Sequence, residues 1–311
     1  MSRNVRRIMA AVLAFFFLVG ILPYCLTHLF ISEKQQGTVV RVLMSNGEVK
    51  NIQLEEYLIG VVAAEMPAEF EIEALKAQSV AARTYVLKKI EENETKSYDV
   101  DMTEKTQAWN SNQEMFRKWG IINYYKYRCK MDRAIAETKG RILMYNGQKI
   151  DAVYHSSSGR KETERASDVW LADTGYLTNV SSGEATPLRF VKHQVYDVNT
   201  FYKLLGFTQI PLQFTDSDLI LIDRTEAGRV KNMTVRNKVF KGTELRAKLQ
   251  LQSTDFEWKI EGKKIEFITY GKGHGVGMSQ YGANDLAKSG NNYAQILGHF
   301  YPGTKIEIVN Q

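Results

Sequence analysis

The chain has 311 residues, 44% of them hydrophobic, two cysteines and a formal charge of +6. That length allows one large domain or two ordinary ones around a sizeable core. Arg3, Arg6 and Arg7 carry half of the excess positive charge, and the near-neutral remainder argues against nucleic acid as a partner.

Residues 1–7 read as a cytoplasmic basic tail. Residues 8–31 are apolar apart from Thr27 and His28, and at about 1.5 Å per helical residue they can cross a bilayer. Three arginines before the run, against a single Lys34 just after it, favour a cytoplasmic N-terminus. No A-x-A-like cleavage site follows, and Tyr24 before Cys25 argues against lipidation. The expectation is an uncleaved transmembrane helix over 8–31 that holds an extracytoplasmic domain, 32–311, on the cell membrane. That domain is one body or two lobes divided near residue 110 or 200. Cys25 and Cys129 are too separated to pair easily, so stability must come from packing. Cys129 reads as a buried inert thiol.

Residues 39–43 and 49–52, joined through Asn46-Gly47, read as a hairpin. Leu54, Leu58, Val61, Val62 and Glu65 follow the spacing of one helix face. Pro67 ends that helix beside Glu65. Glu65 is then a carboxyl on an apolar stripe at the negative end of a helix dipole. Burial and dipole both disfavour the anion and raise its pKa, as a general acid requires. The competing reading is a Glu that turns to solvent or pairs with Lys76 or Arg83. A second helix is small on one side, at Ala74, Ala77 and Ala81, with Val80 and Tyr85 beside them. Lys76 and Arg83 share another face, which suits solvent or the rim of a cleft, and Gln78 lies off that line.

Residues 91–115 read as a polar loop carrying Asp101, Thr103, Gln107 and Trp109. Its Trp suits either stacking on a sugar ring or fastening the loop to the core. A helix over 132–139 precedes a second hairpin, 141–145 and 150–154 about Asn146-Gly147. The hairpin runs into His155-Ser156-Ser157-Ser158-Gly159-Arg160, a polar cluster at a strand end or a serine-rich turn. Residues 186–205 link and close in a short helix. Strands are expected at 219–222, 230–235 and 238–241, a helix at 243–251, and a hairpin over 258–270. The chain then enters GKGHGVGMSQYGAN, residues 271–284. Its glycines permit unusual backbone geometry around His274, and Ser279 or its neighbour caps a helix towards Lys288.

The glycine spacing is not G-x-G-x-x-G, which rejects a dinucleotide site. Neither H-E-x-x-H nor paired-cysteine spacing occurs, so neither metal nor another cofactor is expected. Hydrolysis by a serine of 156–158 with His155 or His274 lacks a G-x-S-x-G elbow.

AAEMP followed by EALKAQSVAARTY closely resembles the signature of the stage II sporulation protein D family. The 155–160 cluster and the 271–284 stretch resemble its second and third motifs, and the likeness spans roughly residues 38–302. The resemblance implies a peptidoglycan lytic transglycosylase of sporulation engulfment, which cleaves peptide-stripped glycan strands to 1,6-anhydro-muramyl ends. It implies Glu65 as acid and then base. Lys76, Gln78, Arg83, His155, Ser157, His274, Gln280 and Tyr281 become candidates for binding substrate. A cell-wall amidase and a membrane scaffold of the engulfment machinery are the implied partners. The amidase-enhancer relatives imply a rival, a wall-binding amidase activator that does not cut. The architecture expected is α+β: a mixed, mainly antiparallel ectodomain with helices packed around a cleft near Glu65.

Overall fold

The computed structural model describes residues 37–103, 106–170, 173–183 and 188–309, together with Phe15, Phe17 and Val19. The expected span over 8–31 lies almost wholly outside the described residues. Among the described residues no helix is long and apolar enough to cross a membrane. The chain divides into two units, Met1–Thr38 and Val39–Gln311, and both hydrophobic cores belong to the second.

That unit is α+β. Its first half runs β1 (Val39–Leu43), β2 (Val49–Gln53), α1 (Leu54–Glu65), α2 (Ile72–Glu92), β3 (Val100–Asp101), α3 (Asn112–Glu137), β4 (Arg141–Tyr145), β5 (Gln148–Lys149), β6 (Tyr154–His155) and α4 (Ala166–Val169). The second half runs β7 (Val191–Asp197), α5 (Val198–Leu204), β8 (Leu219–Arg224), β9 (Val230–Val235), β10 (Lys238–Lys241), α6 (Gly242–Lys248), β11 (Phe256–Glu261), β12 (Lys264–Tyr270), β13 (Met278–Ser279), α7 (Gln280–Lys288), α8 (Tyr293–Phe300) and β14 (Lys305–Ile308). Strand pairing is antiparallel except between β1 and β3 and between β6 and β13.

Gln53 leads straight into α1, and Met66 leaves that helix in extended geometry, φ −117° and ψ 146°. Proline at 67 demands this, because its ring clashes with a helical residue before it. Both α1 and α2 are embedded more deeply than a one-sided stripe would be. Residues 57–63 of α1 and 77–84 of α2 are all buried. α2 runs through the middle of the unit and packs on α1, α3, α7, α8 and β4. Its alanines at 74, 77, 81 and 82 let those neighbours approach closely.

Several expectations change. The helix expected over 132–139 is only the end of α3, which begins at Asn112 under a capping box of Ser111 and Glu114. Only Met115, Met131, Ala134 and Ile135 of α3 are buried, so its apolar period is too sparse to show in the sequence. Cys129 is exposed on this helix, not buried. The second hairpin stops at β5. Tyr154 and His155 pair instead with Met278 and Ser279, a strand brought from far along the chain. Residues 191–197, expected as a link, form β7 along the whole of β12. Every residue of β7 is exposed or half-buried, which removes the hydrophobic alternation that would mark it.

The two cores interlock in sequence. One is built from residues between 40 and 177 and between 276 and 301, the other from residues between 198 and 267. Phe201, Tyr202, Phe214, Phe256 and Phe267 pack edge to face or stacked in the second. The 155–164 loop is stitched to this second core. Buried Arg229 donates to the carbonyl oxygens of Ser158 at 2.8 Å and Glu162 at 2.6 Å, and pairs with Glu164 at 3.2 Å. Arg160 pairs with fully buried Asp255 at 3.1 Å.

Candidate active site

Where the two cores meet, a cleft of 670 Å³ opens. Glu65 lines it from the end of α1, Tyr85 from α2, and Tyr154 and His155 from β6. Arg246 and Gln252 enter from the second core, and Trp170, Lys272 and His274 from connecting loops. Among the described residues that line it, Glu65 is the only carboxylate.

Glu65 reaches this place because α1 ends there. It is half-buried, and its Oε1 accepts the backbone N–H of Ala108 at 2.9 Å. The loop bearing Ala108 is fixed by its neighbours. The N–H of Asn110 donates to the carbonyl of Gly60 at 3.1 Å. A Cβ at position 60 would lie 2.2 Å from Trp109 Nε1, so the glycine lets the indole pack directly on the α1 backbone. Trp109 therefore fastens the loop and does not face the cleft. Behind Glu65, Tyr57 Oη donates to Gln107 Oε1 at 3.2 Å, and Gln107 Nε2 donates to Tyr154 Oη at 3.1 Å. Burial first, and then the Glu65 charge, push the Tyr154 phenol well up. Burial likewise raises Tyr85, to about 12. Both stay protonated at neutral pH.

The GKGHGVG loop is shaped by alternating glycines. Gly273 has φ +118°, and a Cβ there would sit 2.7 Å from His155 Cβ. Only glycine combines that backbone with that approach. The loop thereby lays His274 against His155, ring centres 5.7 Å apart, and against Trp170 at 5.0 Å. His274 Nδ1 accepts the Val276 N–H at 3.1 Å. Burial, then the charge of Arg246, lower its pKa to about 4, opposed by a hydrogen bond with the Tyr154 backbone. His155 is held well below the usual imidazole range, by burial and then by His274 and Arg229. Its Nδ1 hydrogen-bonds Val276 O at 3.1 Å and its Nε2 meets Ser158 Oγ at 2.8 Å. Both imidazoles are neutral at pH 7.

The Ser158–His155 contact has the separation of a nucleophile and its base. It lacks the rest of such a site. The far side of His155 meets a backbone carbonyl instead of a carboxylate, Ser158 is 1% exposed, and it does not line the cleft. The pair fastens the loop.

The sequence candidates divide. Glu65, His155 and His274 come together around the cleft. Arg83 does not; it is fully buried behind it. Its guanidinium holds Glu55 through two hydrogen bonds, at 3.0 and 2.7 Å, and donates to the carbonyls of Ile135 and Thr138 at the end of α3 and of Arg141 at the start of β4. Lys76 pairs with Glu73 and Glu137. Gln78 is buried on α2 and accepts from Gln280 at 3.4 Å, joining α2 to α7. The Ser157 backbone pairs with Lys272, and its Oγ accepts the Gly159 N–H. Tyr281 packs against Phe70 and Phe190 under Arg189. None of these six lines the cleft. Sequence reasoning missed Trp170, Arg246, Gln252 and Lys272, which sit in no helical or strand pattern with Glu65. The exposed Lys272 inside the glycine loop was the available signal.

A family model described as "Stage II sporulation protein" matches residues 44–145. Stage II sporulation protein D of Bacillus subtilis is 39% identical over 268 residues, covering 84% of this chain and 76% of the relative. The protein of the same name from Bacillus amyloliquefaciens is 39% identical over 270 residues, with the same coverage. The amidase enhancer of Bacillus subtilis is 29% identical, over 80% of this chain and 40% of that protein. With its α1–α2 signature seated at the cleft and this identity across most of both chains, the protein belongs to the stage II sporulation protein D family.

Proposed function

We propose that the chain is a membrane-anchored lytic transglycosylase that cuts peptidoglycan glycan strands to 1,6-anhydro-muramyl ends during engulfment. The observation that carries this reading is the cleft with Glu65 as its single carboxylate among the described lining residues. Hydrolytic glycosidases usually need two carboxylates, one of them to activate water or attack the sugar. A transglycosylase that closes the sugar on itself needs one. Glu65 gives its proton to the glycosidic oxygen as the bond to C1 breaks. It then takes the proton of the C6 hydroxyl as that oxygen bonds to C1, and is protonated again for the next cycle.

The remaining lining suits the same substrate. Arg246 and Lys272 bring positive charge to the cleft. A muramyl residue presents a free lactyl carboxylate only after its peptide is removed, so these cations favour stripped strands, made by an amidase working alongside. Trp170, 40% exposed, offers a ring face to a sugar. The anchor over 8–31 would hold this machinery at the outer face of the membrane, beside a membrane scaffold.

Glu65→Gln keeps the size of the side chain and removes the transferable proton. The variant should fold, bind stripped glycan strands and release almost no anhydro-muramyl product, because general acid–base catalysis contributes about 10²–10⁴-fold. Chromatography of the products decides it, and a folded variant with parental activity would place the acid elsewhere. The similarity to an amidase enhancer supports a second reading, a non-cutting activator of an amidase. In that case Glu65→Gln would stimulate an amidase as well as the parent does, and the parent would release no anhydro products.

A further inference from the structure

α3 is interrupted at Gly120, whose φ of 69° and ψ of 168° bend it into two arms. The bend carries the most conspicuous apolar exposure on the domain's helices. Ile122 is 86% exposed, Ile121 and Tyr125 67% each, and Phe116 43%. Ile121, Ile122 and Tyr125 stand three and four residues apart and share a helix face. The patch has a firm base. Phe116 meets Tyr124 at 5.4 Å, Tyr124 meets Tyr125 at 5.5 Å, and Trp119 meets Tyr127 at 5.5 Å. None of these residues lines the cleft.

Along the chain the bend itself is basic, while Glu56, Glu69, Glu114 and Asp132 approach it from its borders and from neighbouring elements. Residues 115–131 contain five lysines and arginines and no acid. Arg128 is paired with Glu56 and Asp132, Lys130 donates to the carbonyls of Ala68 and Phe70, and Lys118 to that of Ala63. Arg117 and Lys126 are exposed. Glu69 touches the rim through the Tyr127 hydroxyl at 2.9 Å.

We infer that this bend docks on an anionic lipid surface. Two isoleucines and amphipathic aromatics under a collar of cations match the composition of interfacial membrane segments. Basic side chains near an acidic leaflet each add roughly fivefold to binding. A protein partner fits less well, because lysine is depleted from protein–protein interface cores. The inference does not depend on glycan cleavage.

Both cores seen among the described residues lie within 33–311 and within one unit, which makes this piece the one to test, and Cys129 is its sole cysteine. It would be sedimented with vesicles of phosphatidylcholine alone, or of equal parts phosphatidylcholine and phosphatidylglycerol. A polarity-sensitive probe on exposed Cys129, one turn past Tyr125, reports where contact is made. Binding is expected only with phosphatidylglycerol. It should fall roughly tenfold or more in Ile121→Ser/Ile122→Ser and in Arg117→Glu/Lys126→Glu, be released by salt, and shift the probe towards an apolar environment. Glu65→Gln should bind as the parent does. No binding, equal binding to neutral vesicles, or tip variants that bind as the parent would overturn the inference. So would tip variants that lose only capture by a protein.

Discussion

Replacing Arg83 separates a structural cation from a substrate-binding one. Arg83→Met keeps the length of the stem and removes the guanidinium. In the parent, Arg83 is 0% exposed and bridges Glu55 of α1 to the end of α3 and the start of β4 through five hydrogen bonds. Glu55 is 28% exposed, so it can turn to water and recover part of its loss. The carbonyls of Ile135 and Thr138 are buried, but each keeps a second donor, the N–H of Thr138 and of Arg141 respectively. Losing the charged hydrogen bonds costs about 1.5–3 kcal/mol, a large share of the 5–15 kcal/mol or so that holds a domain. For a unit of this size the melting temperature should drop on the order of 10 °C. Thermal melts and urea titrations of residues 33–311 measure it, with glycan binding tested well below the transition. The expected result is a large loss of stability with binding retained at low temperature. A variant that melts with the parent but no longer binds glycan would refute the argument and return Arg83 to the cleft.

The two neutral imidazoles predict acid lability. His274 and His155 have folded pKa values below the unfolded 6.5, so the unfolded chain takes up protons first. Their stabilisation is intact above pH 6.5 and is lost as the pH falls below it, towards about 4 for His274. Each adds a slope of up to about 1.4 kcal/mol per pH unit in that window, and a urea titration series should find His274→Gln less steep than the parent. Gly273→Ala puts a side chain at φ +118° and 2.7 Å from His155 Cβ. It should cost about 1–3 kcal/mol and weaken glycan binding with the circular dichroism of the two cores unchanged. Binding at the parental level would show that the loop relaxes without moving His274.

Much of the site's framework was legible locally. Asn46-Gly47 and Pro67 punctuate the chain by backbone sterics alone, so the first hairpin and the end of α1 at Glu65 could be read directly. A cap at Ser279 or its neighbour was legible in the same way, and the structure chooses Ser279, whose side chain accepts the Gly282 N–H at 3.2 Å. The glycines of 271–277 marked a backbone that other residues cannot follow.

What needed the tertiary structure was direction and company. A helix period tells which residues share a face but not how many faces are covered. α1 and α2 are buried nearly all round, and that alone turns Arg83 from a rim cation into an internal clamp. Tyr154 and His155 are drawn from an expected hairpin to a strand more than a hundred residues away, because their backbone groups find partners there. Trp170, Arg246 and Lys272 meet Glu65 only after the second core folds against the first. Local sequence determined where Glu65 ends its helix. The packing of two cores decided which side chains face it, since long-range proximity leaves no periodic trace in a single chain.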